Sequence, residues 1–371
     1  MDSWVSSNQS RGKVMTSLPL VSVIIPAYNG ASTLRLTLES LIRQDYPNIE
    51  AIVVSDGSRD HTVEITTEFQ SQGVNVIDRK ENQGLGATLR EGIAKTQGPI
   101  VMFLHQDCEL LSSSWIRQAV THLDDEKVGW VTGHYETLSP EKTHLVDQAF
   151  ALLRGEFLPT ESFPEPIHPV AFSEGKCDLI RRDALESIGG IPTLLRTSGE
   201  DQLLSYTLRS QGWIILKDTS LVVQQQYLEG APLKLLRANL KKEFLYGKTQ
   251  AVINLKHWQT ILNDLTKLSF AARKGFHPTV KAGAFAITVM SLTYTMITGL
   301  AAGLGPLLGL WIAMFMYYLW KCHYSGIRLI SPLAGLVIIL GFASFVPYGI
   351  ALTWGSTRFL LMKLRIYTKP I

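Results

Sequence analysis

The first 110 residues alternate between short apolar runs and longer stretches in which apolar positions recur every three or four residues. A run of about four to eight aliphatic residues that ends in Gly, Pro, Asn or Asp is typical of a buried strand, and the wider spacing is typical of an amphipathic helix. The pattern therefore predicts strands and helices in alternation. The predicted strands are 21–26, 49–54, 74–77 and 100–104, and the predicted helices are 32–44, 62–72 and 85–96.

Strands joined by helices of this length form a mostly parallel sheet with helices on both faces, so the predicted fold class is α/β. Such sheets bind ligands at the carboxyl ends of their strands. Tyr28, Asp56 and Asp107 each follow a predicted strand, which predicts a ligand site at this edge of the sheet. Further along, the pattern predicts strands at 128–135 and 213–217, helices at 143–154, 183–188 and 201–210, and a proline-rich loop at 159–169.

The last quarter of the chain has a different pattern. Residues 282–320 are almost free of charge, and residues 330–354 form another apolar stretch. A membrane crossing needs about 20 apolar residues, so the first stretch predicts two crossings and the second predicts a third. Lys321, His323 and Arg328 place the intervening loop in the cytosol. Three spans then put the basic tail on the far side, against the positive-inside tendency, whereas a re-entrant segment would leave two spans.

Two amphipathic stretches precede the predicted spans. Such helices either lie in the headgroup region of a bilayer or cover the core of the preceding domain with their apolar faces. The first face comprises Leu233, Leu236, Leu240 and Phe244, and the second comprises Trp258, Ile261, Leu262, Leu265 and Leu268. The predicted organisation is a disordered tail at 1–19, an α/β domain at 20–225, interfacial helices at 226–279, a transmembrane region of two or three spans at 280–356 and a basic tail at 357–371.

Composition narrows the classes of function. The chain has 371 residues and a net charge of only +3, which gives no electrostatic case for a nucleic-acid partner. Its three cysteines are far apart, so neither a disulfide framework nor a zinc site can be built from their spacing, and a reducing, cytosolic compartment is expected. The Gly84-Leu85-Gly86 sequence lacks the third glycine of a dinucleotide-binding turn, which excludes a Rossmann dehydrogenase.

Three acidic positions carry candidate chemistry, and each has a purely structural alternative. Asp56 can accept a hydrogen bond from a nucleotide base or ribose, or it can belong to an Asp-Gly turn that caps the next helix. Asp107 can hold a divalent cation that bridges two phosphates, or it can cap a helix. Asp201 can act as a general base, or it and Glu200 can complement the dipole of a helix N-terminus.

Five segments occur together in a characteristic order. They are Val-Ser-Val-Ile-Ile-Pro-Ala-Tyr-Asn (21–29), Ser-Asp-Gly-Ser-Arg-Asp (55–60), Asn-Gln-Gly-Leu-Gly-Ala (82–87), Phe-Leu-His-Gln-Asp (103–107) and Gly-Glu-Asp-Gln-Leu (199–203). This series resembles the family-2 glycosyltransferases of GT-A fold, a nucleotide-diphospho-sugar transferase fold, over roughly residues 20–220. The expected architecture is thus a GT-A α/β domain followed by C-terminal transmembrane helices.

The resemblance implies roles for individual residues. Asp107 would ligate Mn²⁺ or Mg²⁺, Asp201 would be the general base, and Glu200 would support the acceptor site. The anomeric configuration of the sugar would invert, because the transfer would be one in-line displacement without a covalent intermediate. Tyr28 and Asp56 would hold the base and the ribose of the nucleotide-sugar. The full set of predicted nucleotide-sugar-binding residues lies at the ends of the first, second and fourth strands and before the third helix: Pro26, Ala27, Tyr28, Asp56, Gly84, His105 and Gln106.

The chain departs from the family pattern at three places. Ser55 stands where the first Asp of the Asp-Asp-Gly-Ser turn is usual, and His105 stands at the first Asp of Asp-X-Asp. His105 could bind the ribose, ligate Mn²⁺ or remain a neutral group that does not touch the metal, and Asp107 alone is expected to hold a metal ion more weakly than two carboxylates. No Gln-X-X-Arg-Trp sequence follows Asp201, and Gln224 to Tyr227 is only a faint echo of it, so a processive synthase is not expected.

The amphipathic and apolar stretches at the C-terminal end of the chain give a second resemblance. An amphipathic helix with Tyr246-Gly247 after it, followed by apolar stretches, is similar to the succinoglycan-synthesis type of membrane glycosyltransferase. The expected activity is transfer of a sugar from a nucleotide-sugar donor to a lipid or lipid-linked acceptor, with the catalytic domain facing the cytosol and no nucleic acid involved. The alternative is a non-catalytic membrane scaffold with a degenerate transferase fold. Ser55 and His105 favour that alternative, and the carboxylates at 56, 107 and 201 oppose it.

Overall fold

The computed structural model describes most of the chain, in eight segments. They are residues 18–137, 144–154, 165–192, 199–226, 231–267, 285–294, 304–324 and 331–363. The chain divides into two compact units, which are described separately below. The sheet unit comprises Met1–His134, Pro166–Pro192 and Leu204–Gln226, and the helical unit comprises Tyr135–Glu165, Thr193–Leu203 and Tyr227–Ile371.

The elements follow the predicted alternation through the fourth strand. The strands are β1 Val21–Ala27, β2 Ile49–Asp56, β3 Val74–Arg79, β4 Ile100–Leu104, β5 Cys108–Leu110, β6 Val128–Thr137, β7 Ile167–Pro169, β8 Cys177–Arg181 and β9 Ile214–Gln225. The helices are α1 Leu34–Ile42, α2 Thr62–Glu68, α3 Leu85–Ala94, α4 Trp115–Thr121, α5 Leu145–Arg154, α6 Arg182–Ser187, α7 Glu200–Ser210, α8 Pro232–Lys267, α9 Phe285–Tyr294, α10 Leu304–Tyr324 and α11 Pro332–Lys363.

The strands form one mixed sheet in the order β3-β2-β1-β4-β8-β6-β9-β5, and β7 pairs with β9. β1, β2, β3 and β4 are parallel, as predicted, whereas β8 pairs antiparallel with β4 and with β6. The predicted α/β class is confirmed, but the sheet is mixed rather than mostly parallel. The prediction missed β5, β7 and β8, and β7 lies inside the segment 159–169 that was predicted as a loop.

Burial explains why the parallel strands are so apolar. All seven positions of β1 are buried, as expected for a strand that is covered on both faces. The parallel register places Ala27 beside Ser55, and Asp56 beside Arg79, so β1, β2 and β3 end at the same edge. One buried apolar cluster around them comprises Ile24, Ile52, Val54, Leu89, Val101, Phe103, Trp130, Val170, Ile180, Ala184, Leu185, Ile191, Leu204, Leu208 and Ile215.

A hydrogen bond to a buried carboxylate joins β9 to the turn after α4. Nε2 of His122 lies 2.7 Å from Oδ2 of Asp218, whose side chain is 5% exposed. The backbone N–H and the hydroxyl of Ser220 donate to Oδ1 of Asp218 at 2.8 and 2.6 Å. Burial alone would raise the pKa of Asp218, but the hydrogen bonds from His122 and Ser220 outweigh burial and hold this pKa below its ordinary value.

Asp218→Asn is expected to lower the free energy of unfolding by about 1–3 kcal/mol at pH 7, since the amide cannot replace a charge-assisted acceptor. The pKa of the Asp218 carboxyl is lower in the folded chain than in the unfolded one, so its contribution is present above about pH 4 and is lost as pH falls through the folded pKa. Urea unfolding at a series of pH values should show the gap between variant and wild type shrinking toward acid. An unchanged gap at every pH, or the same gap for the exposed control Asp124→Asn, would contradict the prediction.

The helical unit has its own apolar core. α8 packs along α11 and also against α5. Within this core, Nδ2 of Asn239 donates to Oδ1 of Asp147 at 2.7 Å, which satisfies two buried polar side chains. The buried apolar side chains are Val146, Ala149, Phe150, Leu235, Ala334, Val337 and Leu340.

Two glycines allow α8 and α11 to approach closely. A Cβ at Gly247 would collide with the carbonyl group of Tyr348, and a Cβ at Gly355 would collide with the carbonyl group of Lys248. Small residues at such positions let two helix backbones meet directly. The crossing is therefore fixed by backbone contact, and it brings Lys248 beside the last part of α11.

The two predicted amphipathic stretches form α8, which is interrupted by non-helical backbone at His257. Leu236 and Leu240 of the first predicted face pack against the core of the helical unit, while Leu233 is exposed. In the second predicted face, Ile261 is buried, whereas Trp258 and Leu262 are exposed. Leu268 lies outside the described residues.

The predicted multi-pass arrangement is not supported. Among the residues that the structure describes, one helix, Pro332–Arg358, is long and apolar enough to cross a membrane, and 44% of its apolar window is buried. Two further apolar helices, Phe285–Tyr294 and Leu308–Trp320, are shorter. The start of the predicted transmembrane region and most of both predicted tails lie outside the described residues.

Candidate functional site

The loops that follow β1 and β2 are joined by hydrogen bonds. The backbone N–H of Asn29, which has a φ of 49°, donates to Oγ of Ser58 at 3.1 Å. The backbone N–H of Arg59 donates in return to Oδ1 of Asn29 at 2.9 Å. Tyr28 immediately precedes this link, and its side chain is exposed. The loops therefore hold an aromatic ring open to a ligand at the carboxyl edge of the sheet.

Gln106 supports the Tyr28 loop from the neighbouring strand. The backbone N–H of Tyr28 donates to Oε1 of Gln106 at 2.8 Å, and Nε2 of Gln106 donates to the carbonyl oxygen of Tyr28 at 3.3 Å. A Cβ at Gly30 would overlap this amide. Gln106 was predicted to bind the nucleotide-sugar directly, and the structure shows its amide paired with the peptide groups of Tyr28. Pro26 and Ala27, also predicted to bind the donor, are buried in β1.

Asp56 holds the turn that begins α3. Its side chain is buried, and its two oxygens accept from the backbone N–H groups of Gln83 and Gly84 at 2.9 and 2.8 Å. Nη1 of Arg79 also donates to Oδ1 of Asp56 at 3.1 Å. A carboxylate has about four acceptor positions, so Oδ2 keeps capacity for one more donor. The predicted contact of Asp56 with base or ribose stays a prediction, and its observed contacts shape the turn at 82–84.

Gly57 is required by the path of the same turn. Its φ is +72°, a conformation that residues with a side chain rarely adopt. A Cβ there would also lie 2.8 Å from the backbone nitrogen of Asn82. The Asp-Gly sequence therefore allows the turn at 82–84 to pack directly on the end of β2, which brings the predicted binding residue Gly84 to the site edge.

The fourth strand ends in a partly buried histidine. The backbone N–H of His105 donates to the carbonyl oxygen of Lys176 at 2.7 Å. Its Nε2 is buried and has no hydrogen-bond partner among the described residues. Burial lowers the pKa of His105. The charge of Asp107 raises this pKa and the charge of Lys176 lowers it further, so that the pKa of His105 lies below its ordinary value. The imidazole is thus neutral near pH 7 and offers one unused nitrogen to a ligand.

Asp107 lies among side chains that the sequence pattern did not indicate. Nε2 of Gln225 donates to Oδ2 of Asp107 at 3.4 Å, and the backbone N–H of Gln226 donates to the carbonyl oxygen of Asp107 at 2.8 Å. Nζ of Lys176 in turn donates to Oε1 of Gln225 at 2.6 Å. The available signal was the run of glutamines at 224–226, but nothing in it revealed the antiparallel pairing of β9 with β5 that brings it to Asp107.

The acidic pair at 200–201 belongs to the helical unit. Both residues lie in the first turn of α7, where Oδ1 of Asp201 accepts from the backbone N–H of Gln202 at 2.8 Å. Burial raises the pKa of Glu200. The preceding Gly199 has a φ of +77°, and a Cβ there would collide with the side chain of Thr249. The predicted roles of Glu200 and Asp201 in acceptor chemistry stay predictions.

The strand-end side chains of the sheet unit suit a nucleotide diphosphate better than a metal alone. No group of three or more His, Cys, Asp or Glu side chains in the described part of the chain could hold a metal ion by itself. Asp107 supplies one carboxylate, so a Mg²⁺- or Mn²⁺-type ion would need further oxygens from a bound ligand. The exposed Tyr28 ring and the turn at 82–84 lie at the same edge of the sheet.

Comparison with known sequences agrees with this geometry. The family profile described as Glycosyl transferase family 2 matches residues 22–189. The glycosyltransferase AglE of Haloferax volcanii is 29% identical over 241 residues, which cover 64% of this chain and 75% of AglE. The probable glycosyltransferase YdaM of Bacillus subtilis is 33% identical over 138 residues, 35% of this chain and 33% of YdaM. The chain thus spans three quarters of one relative and a third of the other.

Among solved structures, the mannosyltransferase PcManGT of Pyrobaculum calidifontis, determined in complex with GDP-Man and Mn²⁺, superposes with a TM-score of 0.56. The superposition covers 91% of this chain and 88% of PcManGT at 17% sequence identity, which indicates a shared fold. The profile match and the relatives above thus show that residues 22–189 match family-2 glycosyltransferases, and the sheet unit has an α/β fold of the GT-A type.

Proposed function

We propose that the chain is an inverting, non-processive glycosyltransferase that moves one sugar from a nucleotide-diphosphate donor to a lipid or lipid-linked acceptor at a membrane surface. The observation that carries this proposal is the set of side chains at the shared carboxyl edge of β1, β2 and β4. There the exposed Tyr28 ring, the turn held by Asp56 and the carboxylate of Asp107 follow neighbouring strands of a family-2 domain.

The donor base and ribose would bind at the first two of these positions. Tyr28 offers an aromatic face for stacking, and Gln106 fixes its backbone by two hydrogen bonds. The turn at 82–84 offers backbone groups close to the end of β2, where Asp56 keeps one acceptor position for a donor on the ligand. PcManGT was solved with GDP-Man, and we propose a nucleotide-sugar in the corresponding place in this chain.

A divalent cation fits the residues around Asp107. Asp107 provides a carboxylate oxygen, the ligand type that Mn²⁺ and Mg²⁺ prefer. Diphosphate oxygens and water would complete the shell. When bound, the cation would neutralise charge that develops on the leaving diphosphate.

Asp201 is proposed as the general base. The acceptor hydroxyl oxygen would form a bond to the anomeric carbon while the bond from that carbon to the diphosphate oxygen breaks, and the diphosphate would leave with the electron pair. The hydroxyl proton would pass to the carboxylate of Asp201. Because this is one displacement, the anomeric configuration inverts. Glu200, whose pKa burial raises, would serve beside it as a hydrogen-bonding group for the acceptor.

Membrane attachment is proposed through α11 and the helices near it. At the end of its apolar stretch, Nζ of Lys248 lies 4.5 Å and Cζ of Arg358 lies 4.4 Å from the ring centroid of Trp354. Trp beside Lys and Arg is typical of the membrane–water interface. Exposed apolar side chains continue along the same helices: Met290, Leu308, Ile312, Met316, Ile339, Ile350 and Leu360. We place the sheet unit on the cytosolic side, where nucleotide-sugars are found.

A donor screen tests the proposed function. Purified full-length protein in detergent is incubated with UDP-, GDP- and dTDP-sugars, with and without Mn²⁺, and release of free nucleotide is measured. Release from one nucleotide class, stimulated by Mn²⁺ and lost in Asp107→Asn, is expected. A folded chain that neither binds nor cleaves any of the donors would overturn the proposal and leave the non-catalytic scaffold.

A further inference from the structure

Lys176 is linked to the candidate metal ligand by one amide. Its ammonium donates to Oε1 of Gln225 at 2.6 Å, and Nε2 of the same amide donates to Oδ2 of Asp107 at 3.4 Å. The carbonyl oxygen of Lys176 accepts from the backbone N–H of His105 at 2.7 Å. Since both its backbone and its side chain are held, Lys176 is fixed at the ends of β4 and β9 rather than free to swing over the surface.

This lysine changes the charge of the site. The family pattern has two carboxylates in Asp-X-Asp, whereas this chain has a neutral His105 and a single carboxylate at Asp107. With Lys176 included, the formal charge of the three residues is zero instead of negative. A site without net negative charge needs less positive charge from a metal ion before it can accept a diphosphate.

Two residues whose backbone N–H groups are hydrogen-bonded to the carbonyl oxygens of Lys176 and Asp107 each have a buried side-chain nitrogen without a partner among the described residues. These atoms are Nε2 of His105 and Nε2 of Gln226. The amide NH₂ of Gln226 can only donate, so the group that satisfies it must be an acceptor, and the neutral imidazole nitrogen can be protonated on either side to suit. Buried donors nearly always have partners in native proteins, which indicates that an acceptor-rich ligand completes this cluster.

We propose that Lys176 binds the diphosphate of the nucleotide-sugar donor as a second cation, with Gln226 and His105 as neighbouring hydrogen-bond donors. Lys176 then neutralises part of the negative charge of the diphosphate, which in a site with two carboxylates is neutralised by the metal ion alone. This inference rests on the proposed nucleotide-sugar function. The lysine stays protonated throughout, so no proton transfer is involved, and its role is to stabilise the leaving diphosphate.

The inference predicts a specific interaction between the lysine and the metal. Binding of UDP and GDP to the full-length protein is measured by titration calorimetry in EDTA and with saturating Mn²⁺. Lys176→Met should weaken binding by about tenfold or more in EDTA, the loss of one charge-assisted contact, and by clearly less with Mn²⁺ present. Lys176→Arg should retain a large part of the affinity. Lys95→Met, an exposed lysine at the end of α3, is the matched control and should bind like wild type.

The outcomes separate this inference from the function on which it rests. If the wild type binds a nucleotide but Lys176→Met binds it equally well in EDTA, the role of Lys176 is wrong and the transferase function stands. If the wild type binds no nucleotide in either condition, both are wrong. A purely structural role for Lys176 would lower the unfolding midpoint and reduce affinity equally with and without Mn²⁺, which would also overturn the inference.

Discussion

Asp201→Asn is expected to reduce kcat for sugar transfer by about 10³-fold, the middle of the range for loss of a general base. Asparagine has nearly the same shape as aspartate and can still accept the hydrogen bond from the backbone N–H of Gln202. It cannot take a proton from the acceptor hydroxyl. The variant should therefore fold normally and bind the donor nucleotide with wild-type affinity, because only the transfer step is affected. Steady-state transfer kinetics and calorimetric nucleotide binding would be compared in the same preparation.

The neighbouring Glu200 supplies the control for this variant. Glu200→Gln should have a much smaller effect on kcat, since Glu200 takes no proton in the proposed step and glutamine keeps a hydrogen-bonding side chain of nearly the same shape. A variant Asp201→Asn that transfers sugar at the wild-type rate would show that another group accepts the proton. Equal losses in the two variants would show that the pair acts as a unit rather than through Asp201.

Asp107→Asn is expected to abolish the stimulation by Mn²⁺ and to lower kcat/KM by about 10²–10³-fold, the usual effect of removing one electrostatic group that stabilises developing charge. The amide can still accept from Gln225, so the local hydrogen bonds survive while the metal-binding charge is lost. In EDTA, by contrast, the variant should bind nucleoside diphosphate at least as well as wild type, because Lys176 remains and a repelling carboxylate is gone. Calorimetry with and without Mn²⁺ measures both effects.

Glu109→Gln is the matched control for the metal prediction. This residue lies on β5, two positions beyond Asp107, and pairs with the partly exposed Arg43 at 3.3 Å. It should leave Mn²⁺ stimulation unchanged. If Asp107→Asn retains full stimulation by Mn²⁺ while folding normally, then the cation is held elsewhere and the assignment of Asp107 is wrong.

The half of the fold that carries the proposed donor site could be predicted because its strands have simple sequences. β1, β2 and β4 are uninterrupted apolar runs that end in turn residues, and burial on both faces requires little else of their sequences. β8 was missed because Asp178 interrupts its pattern. That aspartate is fully buried and accepts from the hydroxyl of Ser173 at 2.5 Å, a tertiary contact that no local pattern reveals.

The site shows the same division. Tyr28, Asp56 and Asp107 could be predicted as site residues because they lie at the ends of predicted strands along the chain. Lys176 and Gln225 were not, because β8 and β9 reach the site edge only through antiparallel pairing with partners distant in sequence. One of the predicted membrane spans is matched by a long apolar helix among the described residues, and composition alone could not settle the others. Apolar composition indicates burial, but it does not distinguish burial in lipid from burial against α5 and α8, where part of α11 packs.

The turn at 82–84 also bears on how the donor binds. Asp56 accepts hydrogen bonds from two backbone N–H groups of this turn, and Arg79 on the next strand donates to Asp56. Because Gly57 has no side chain, the turn packs directly on the end of β2. A turn held by these contacts is already ordered before a ligand binds, so little conformational entropy is lost when a ligand binds there. Crystal structures with and without a nucleotide should show the turn at 82–84 in the same position.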